Sequence, residues 1–422
     1  MNKPDLNIAM LSYHTCPLAT LGGKDTGGMN VYVRELTRSL GESNIHVDAF
    51  TRSQDEHVPH VLHDLGYGNR VVHIPAGPED TLPKKELAKY VPEFASGILK
   101  FARQKGIKYD LIHTHYWMSG VAGKYLQEEW DIPIIHMYHT LGIMKNRVAQ
   151  NASEIEGDYR LNGEFEVLKA ASRIVVSTRA EQEQLTSLYG ADPDKLVTIS
   201  PGVDTSHFYP IPADEAKAVI GIPPEDRMLL FVGRIERLKG VETLIRAIAH
   251  MRKVGVLGKC PHYLAVIGGD PEGQQQDINT EMTRLQKLCQ ELGIGDLVVF
   301  LGKRNQNLLP YYYSSAEVLV LPSQYESFGM VALEAMACGT PVVASQVGGL
   351  AYLVKDGVNG YSVPEGDPIA LGNKLTELIR DDALRARLGE QANQYAQNFS
   401  WDKITARMIT VYKEVLRQAE AI

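Results

Sequence analysis

The sequence is poor in cysteine, in long apolar runs and in positive charge, and each shortage removes a class of protein. Four cysteines, Cys16, Cys260, Cys289 and Cys338, are scattered over 422 residues with neither disulfide-scaffold nor metal-ligand spacing. They read as buried small hydrophobes in a reducing, cytoplasmic compartment. No apolar stretch approaches the roughly 20 residues of a membrane span, and the first residues lack the charged-then-apolar layout of a leader. No membrane is therefore expected. A net charge of −8 gives neither long-range attraction to nucleic acid nor counterion release on binding it, so binding chemistry must be local. Low-complexity tracts and solenoid repeats are also missing.

What is present is an alternation of short apolar runs with helical patterns, the mark of parallel α/β units in a chain long enough for two domains. Strands are expected at Ile8–Ser12, His46–Thr51, Leu111–Thr114, Ile132–Tyr138, Ile174–Ser177 and Leu196–Ile199. A second series is expected at Met228–Val232, Tyr263–Ile267, Leu297–Leu301, Val318–Leu321 and Pro341–Ala344. Val241, Leu244, Ile245 and Ile248 keep an i, i+3, i+4, i+7 stripe, which predicts an amphipathic helix from Gly240 to about Arg252. The prolines and glycine of Pro201-Gly202-Val203-Asp204, followed by Pro210 and Pro212, mark a joint placed near residue 208. The domains are thus 1–208 and 209–401, both Rossmann-like, with a C-terminal helix 402–422 crossing back to the first.

Open α/β sheets bind ligands at the carboxyl ends of their strands, where helix N-termini present unpaired N–H groups. Glu326-Ser-Phe-Gly-Met-Val-Ala-Leu-Glu334 follows one apolar run and sets two carboxylates eight positions apart around a glycine. Gly329 and Met330, beside Phe328, can offer backbone donors to a phosphate oxygen, while Glu326 and Glu334 can accept sugar and ribose hydroxyls. Arg234 and Lys239, on an earlier strand-to-helix loop, can neutralise a departing diphosphate. Each residue alone has a plain alternative as a surface charge or helix end. Their joint spacing favours a nucleotide sugar. Gly27 and Gly28 form a further glycine loop before a helix, an anion site by geometry, and are assigned to donor binding.

The chain resembles the retaining GT-B glycosyltransferases of the GT4 family over nearly its whole length. The resemblance rests on Gly27-Gly28-Met29-Asn30, His139-Thr140, Pro201-Gly202-Val203-Asp204, Gly233-Arg234 with Lys239-Gly240, Glu326 with Glu334, and Cys338-Gly339-Thr340-Pro341. It implies two Rossmann-like domains facing across a cleft, with a UDP- or ADP-sugar on the second domain and an acceptor on the first. It also implies that the acceptor hydroxyl attacks the anomeric carbon on the face from which the nucleotide departs. A leaving phosphate oxygen takes the proton, with His139 near the transferred sugar. Catalysis is assigned to His139, Glu326, Arg234 and Lys239. Where the acceptor is phosphorylated, the resemblance places its phosphate near Lys84, Tyr116, Thr140 and Arg160, with Gly28 and Asn30 alongside. Two cations and two hydroxyls suit a phosphate and would be left unmatched by a neutral sugar.

Two subfamilies compete. Ser12–Ala19, Gly28–Val33 and His115–Gly120 resemble the mycothiol-pathway enzyme that joins N-acetylglucosamine to inositol phosphate. Leu82–Leu87 and His139–Gly142 resemble single-domain sucrose-phosphate synthases, which join glucose to fructose 6-phosphate. The many Lys, Asn, Gln, Ile and Tyr residues are unlike the Ala/Arg-rich proteins of mycothiol producers. The sequence reading therefore chooses sucrose 6-phosphate synthesis from UDP-glucose or ADP-glucose, with a separate sugar phosphatase finishing the product.

Other readings are weaker. A hydrolase would need its carboxylates about 5–9.5 Å apart, whereas Glu326 and Glu334 span roughly 12 Å of helical rise. An epimerase would act without acceptor, and a nucleotide-sugar binding protein without turnover would have no use for so complete a residue set. No metal is expected to be required, Mg²⁺ entering only with the nucleotide. Asp192-Pro193-Asp194 reads as turn chemistry, and His113 and His115 are read as facing opposite sides of their strand.

Overall fold

The structure is a computed structural model that describes residues 4–19, 26–149, 152–257, 262–269 and 276–421, with backbone alone at 153 and 276–280. Cys260 lies outside the described residues; Cys289 and Cys338 are buried and Cys16 is half-buried. Among the described residues the chain forms two compact α/β units, one comprising those from 4 to 200 and 401–421, the other those from 201 to 400.

The first unit holds β1 (Leu6–Leu11), β2 (Ile45–Arg52), β3 (Val61–Leu62), β4 (Arg70–Ile74), β5 (Leu111–His115), β6 (Ile134–Met137), β7 (Arg173–Val176) and β8 (Leu196–Thr198) in one sheet. The sheet order is β3-β4-β2-β1-β5-β6-β7-β8, parallel except where β3 runs against β4. Its inner strands are buried on both faces, and Ile8 to Leu11 are fully buried. The helix Trp401–Glu420 packs beside the helix Gly28–Glu42 through Trp401, Ile404, Met408, Val411, Tyr412 and Val415, a stripe at helical spacing.

The second unit holds β9 (Arg227–Val232), β10 (His262–Ile267), β11 (Val298–Gly302), β12 (Ala316–Leu321), β13 (Val342–Ser345) and β14 (Gly360–Val363), all parallel, in the order β11-β10-β9-β12-β13-β14. The stripe predicted after Gly240 is buried on the helix Val241–Lys253. In both sheets the order turns back beside the first strand, between β1 and β5 and between β9 and β12. Such reversals open a crevice at the strands' carboxyl ends.

The chain changes unit at Ser200/Pro201 and again at Ser400/Trp401. This corrects the joint placed at 208. Val203 bridges to Ser400 and Phe208 lies in the second unit's core, so the proline-rich stretch folds as part of the second unit. Sequence reading also missed β3, β4 and β14, each of five residues or fewer.

Candidate active site

In the second unit, the loops after β9 and β12 meet at the reversal point. Gln324 N–H donates to Leu238 O at 2.8 Å, stitching one loop to the other. Lys239 ends a short 3-10 turn, and Gly240 follows at φ 67° with its Cα against Pro322, where a Cβ would lie 1.9 Å from the carbonyl oxygen. Only glycine permits that approach. The stitch brings Lys239 Nζ to Glu326 Oε2 at 2.5 Å, an ion pair four-fifths buried on both sides. The two groups expected to take the diphosphate and the sugar are therefore neighbours. Arg234 pairs with Glu236 at 2.7 Å and is more exposed, on the same loop.

Gly329 caps the helix Met330–Ala337 at φ 99°, a left-handed conformation that glycine alone adopts freely, with a Cβ excluded by Leu350. The helix N-terminus there is a natural anion site. Phe328 is buried in the core, stacking near Phe399 at 6.3 Å, so it fixes the loop by packing. Glu334 is buried, and Tyr313 donates its hydroxyl to Glu334 Oε2 at 2.8 Å. Tyr313 was not foreseen. It stands 21 residues away on another helix, a distance over which spacing carries no signal.

In the first unit, a second cluster forms where β1, β5 and β6 end. Tyr116 follows β5 directly and His139 lies two residues past β6, and both adopt positive φ, 73° and 61°. Such strain in side-chain-bearing residues gathers at functional sites. The Lys84 ammonium lies 5.9 Å from the Tyr116 ring and the Arg160 guanidinium 5.1 Å from it. Arg160 also donates to Thr140 Oγ1 at 3.0 Å and Thr140 O at 3.1 Å. Four residues predicted from distant segments thus come together.

Arg160 is more than a cation facing the site. It is 1% exposed, so it is no surface charge, and it is already bound by Glu164 at 2.9 Å and Glu156 at 2.6 Å. Glu164 in turn accepts from the Gly142 N–H and the Tyr189 hydroxyl. Arg160 is therefore part of the framework as well as a cation at the site. Lys145 joins Glu156 at 2.6 Å. His14, another residue missed from sequence, packs on Tyr116 with centroids 4.4 Å apart. Burial, then the charges of Lys84, His139 and Arg160, hold its pKa well below the ordinary histidine value.

Asn30 is corrected from ligand contact to loop support. Its Oδ1 accepts the Gly27 N–H at 2.9 Å, and its Nδ2 donates to Thr15 Oγ1 and Cys16 O, both at 2.7 Å. The side chain is spent on shaping the glycine loop. Gly27 caps the helix Gly28–Glu42 in extended backbone, so the helix does open on that loop.

His113 and His115 share one face, which corrects the expectation that they oppose. Residues two apart on a strand point the same way, and their rings stack 4.3 Å apart. His115 Nδ1 lies 2.9 Å from His139 Nε2. Among the described residues no group of three or more His, Cys, Asp or Glu is arranged to hold a metal ion. Asp192 caps a turn, accepting from Asp194 N–H at 3.0 Å.

Comparison with known proteins places the chain in a family. Residues 26–207 match the family described as Glycosyltransferase Family 4 and residues 212–395 match Glycosyl transferases group 1. The D-inositol 3-phosphate glycosyltransferase 2 of Catenulispora acidiphila is 40% identical over 98% of this chain and 96% of its own. The chain belongs to the GT4 glycosyltransferases. Another relative of this family, the D-inositol 3-phosphate glycosyltransferase of Thermomonospora curvata, is 41% identical over 98% of this chain and 96% of its own. Among solved GT4-like structures, the sucrose-phosphate synthase of Thermosynechococcus elongatus superposes with TM-score 0.89 at 34% identity, covering 98% of this chain and all of that one. Anabaena HepE in complex with UDP and glucose, at 20% identity and TM-score 0.74 over 97% of this chain and all of that one, shares the fold. The protein is a retaining GT-B glycosyltransferase. Among the described residues no helix is long and apolar enough to cross a membrane.

Proposed function

We propose that this enzyme moves N-acetylglucosamine from UDP-N-acetylglucosamine to an inositol phosphate, with retention at the anomeric carbon. The observation that carries it is the relatives' shared name. Glycosyltransferases of D-inositol 3-phosphate match at 40% and 41% identity over almost the full chain. This reverses the preference for sucrose 6-phosphate synthesis drawn from the Leu82–Leu87 and His139–Gly142 segments and from composition. Local motifs and residue frequencies carry less weight than identity along the whole chain.

The donor is assigned to the second unit. Its diphosphate would meet the N-terminus of the helix Met330–Ala337, Arg234 and Lys239, its ribose Glu334, and its sugar Glu326. The acceptor phosphate is assigned to Lys84, Tyr116, Thr140 and Arg160, two cations converging on one tyrosine ring. In the reaction the acceptor oxygen bonds to the anomeric carbon as the bond to the UDP oxygen breaks. The proton passes to the departing phosphate, and Lys239 and Arg234 stabilise its charge. Cytoplasmic residence and independence of a metal cofactor belong to the same proposal.

Fructose 6-phosphate with UDP-glucose or ADP-glucose is the second reading, favoured by the 34% identical sucrose-phosphate synthase. Under it, a separate sugar phosphatase would complete the product. Nucleotide release measured with each donor and acceptor pair, with products identified by mass spectrometry, tests both. An N-acetylglucosaminyl inositol phosphate supports the proposal. Sucrose phosphate as the dominant product would replace it, and nucleotide-sugar binding without turnover on any acceptor would leave a binding protein.

A further inference from the structure

A chain of aromatic contacts runs beneath His139 inside the first unit. Tyr412, on the C-terminal helix, has its hydroxyl 2.8 Å from His113 Nδ1. The His113 ring stacks on His115 with centroids 4.3 Å apart, and His115 Nδ1 reaches His139 Nε2 at 2.9 Å. Tyr32 closes the pocket, its ring 5.5 Å from His115 and 5.3 Å from His139. His113, His115 and Tyr412 are buried.

Such crowding leaves each imidazole neutral, because a second proton on any ring would be a charge buried beside other histidines. Burial alone holds His139 down to about 3, and burial with the His139 charge holds His113 down to about 3. Each ring then carries one N–H and one bare nitrogen, and in the His115–His139 contact one ring donates. Which one is decided by the far side of His115. Its Nε2 is buried and has no hydrogen-bond partner among the described residues. Were His139 the donor, the His115 proton would sit on that nitrogen as an orphaned buried N–H, which folded proteins rarely contain. With His115 as donor, the nitrogen left without a partner is a bare one.

We infer that His115 is a positioning residue that donates from Nδ1 to His139 Nε2 and so fixes His139 as the Nδ1–H tautomer. His139 then has one free function, a neutral N–H donor, suited to a sugar hydroxyl or ring oxygen and unable to act as a base. Its backbone adopts φ 61°. Strain of this kind persists where the surroundings over-determine a residue. The inference rests on the assignment of His139 to catalysis, and it gives the histidine stack and Tyr412 a purpose: they hold His115, which holds His139.

The test uses full-length enzyme with nitrogen-15-labelled histidine, reading ring protonation from long-range proton–nitrogen correlation spectra. The His139 signals are identified by their loss in His139→Gln. Protonated Nδ1 and bare Nε2 on His139 are expected, and a proton on His139 Nε2 overturns the inference. Steady-state kinetics of two variants give a second reading. His115→Leu is expected to lower kcat roughly tenfold to a hundredfold with little change in donor KM, by analogy with partners that orient metal-bound histidines. His115→Asn, whose amide can donate from a similar place, is expected to recover most of it. An Asn variant as poor as Leu overturns the donation. If the wild-type enzyme turns over no acceptor, the functional reading fails, while the spectra still decide the tautomer.

Discussion

At the scale of single residues, the two crevices divide their charges between framework and chemistry. Glu326 is tied to Lys239, and both are placed where the diphosphate and sugar are assigned. Glu326→Gln should cut turnover by about a hundredfold or more while UDP still binds in calorimetry; unchanged turnover would remove Glu326 from the mechanism. Arg160 and Lys84 are predicted to separate. Arg160→Met leaves Glu164 buried without its cation and should cost about 3 kcal/mol of stability in urea denaturation. Lys84→Met should leave stability within about 0.5 kcal/mol and raise the KM for a phosphorylated acceptor about tenfold. The reverse pattern would make Lys84 the structural cation. Buried titrating groups add a pH signature. Glu181, which accepts the Ser177 N–H at 2.7 Å, has its pKa pushed up to about 7 by burial. A carboxyl raised in the folded state stabilises fully below the unfolded value of about 4.3, and that stability is lost as pH rises through about 7. Glu181→Gln should therefore raise the melting temperature near pH 8 far more than near pH 4.5. The buried histidines act in the opposite sense, His113 and His139 losing their contribution as pH falls from about 6.5 towards 3.

At the scale of elements, what was legible in the sequence was what a short window contains. Glu326, Gly329 and Glu334 could be placed on a loop and helix start because their spacing is local, and the helix Val241–Lys253 announced itself by its apolar stripe. The pairings that make the site were not legible. Lys239 and Glu326 are 87 positions apart, and their meeting depends on β9 and β12 being neighbours. Arg160 and Glu164 form an i, i+4 pair visible in sequence, but nothing in the spacing says that both are buried. His115 is similar: its place two residues from His113 implies a shared face, which the sequence reading took as opposed, and the contact with His139 needed β5 and β6 side by side. The joint was misplaced because proline marks irregular chain without saying which unit that chain packs on. Element geometry makes its own prediction at Gly240. A Cβ there meets the Pro322 carbonyl at 1.9 Å, so Gly240→Ala should cost about 1–3 kcal/mol in denaturant unfolding. It should also lower turnover more than an equally destabilising change elsewhere, because it moves Lys239 off Glu326. Wild-type turnover would show that the loop stitch has no bearing on the site.

At the scale of the whole molecule, two doubly wound units each open a crevice where their strand order reverses, and each crevice carries the charges suited to one substrate. The proposal requires no metal held by the protein. Turnover is expected to survive chelation with EDTA, and a loss restored by Mg²⁺ alone would assign a cation to the nucleotide. The claim that the first unit reads a phosphate is the centre of the account. It is tested most directly by comparing initial rates on inositol 3-phosphate and on free inositol, with UDP-N-acetylglucosamine as donor, for the wild type and for Lys84→Met. The account predicts a strong preference for the phosphorylated acceptor that shrinks by about tenfold in the variant. Equal rates on the two acceptors, or a preference untouched by the substitution, would contradict it.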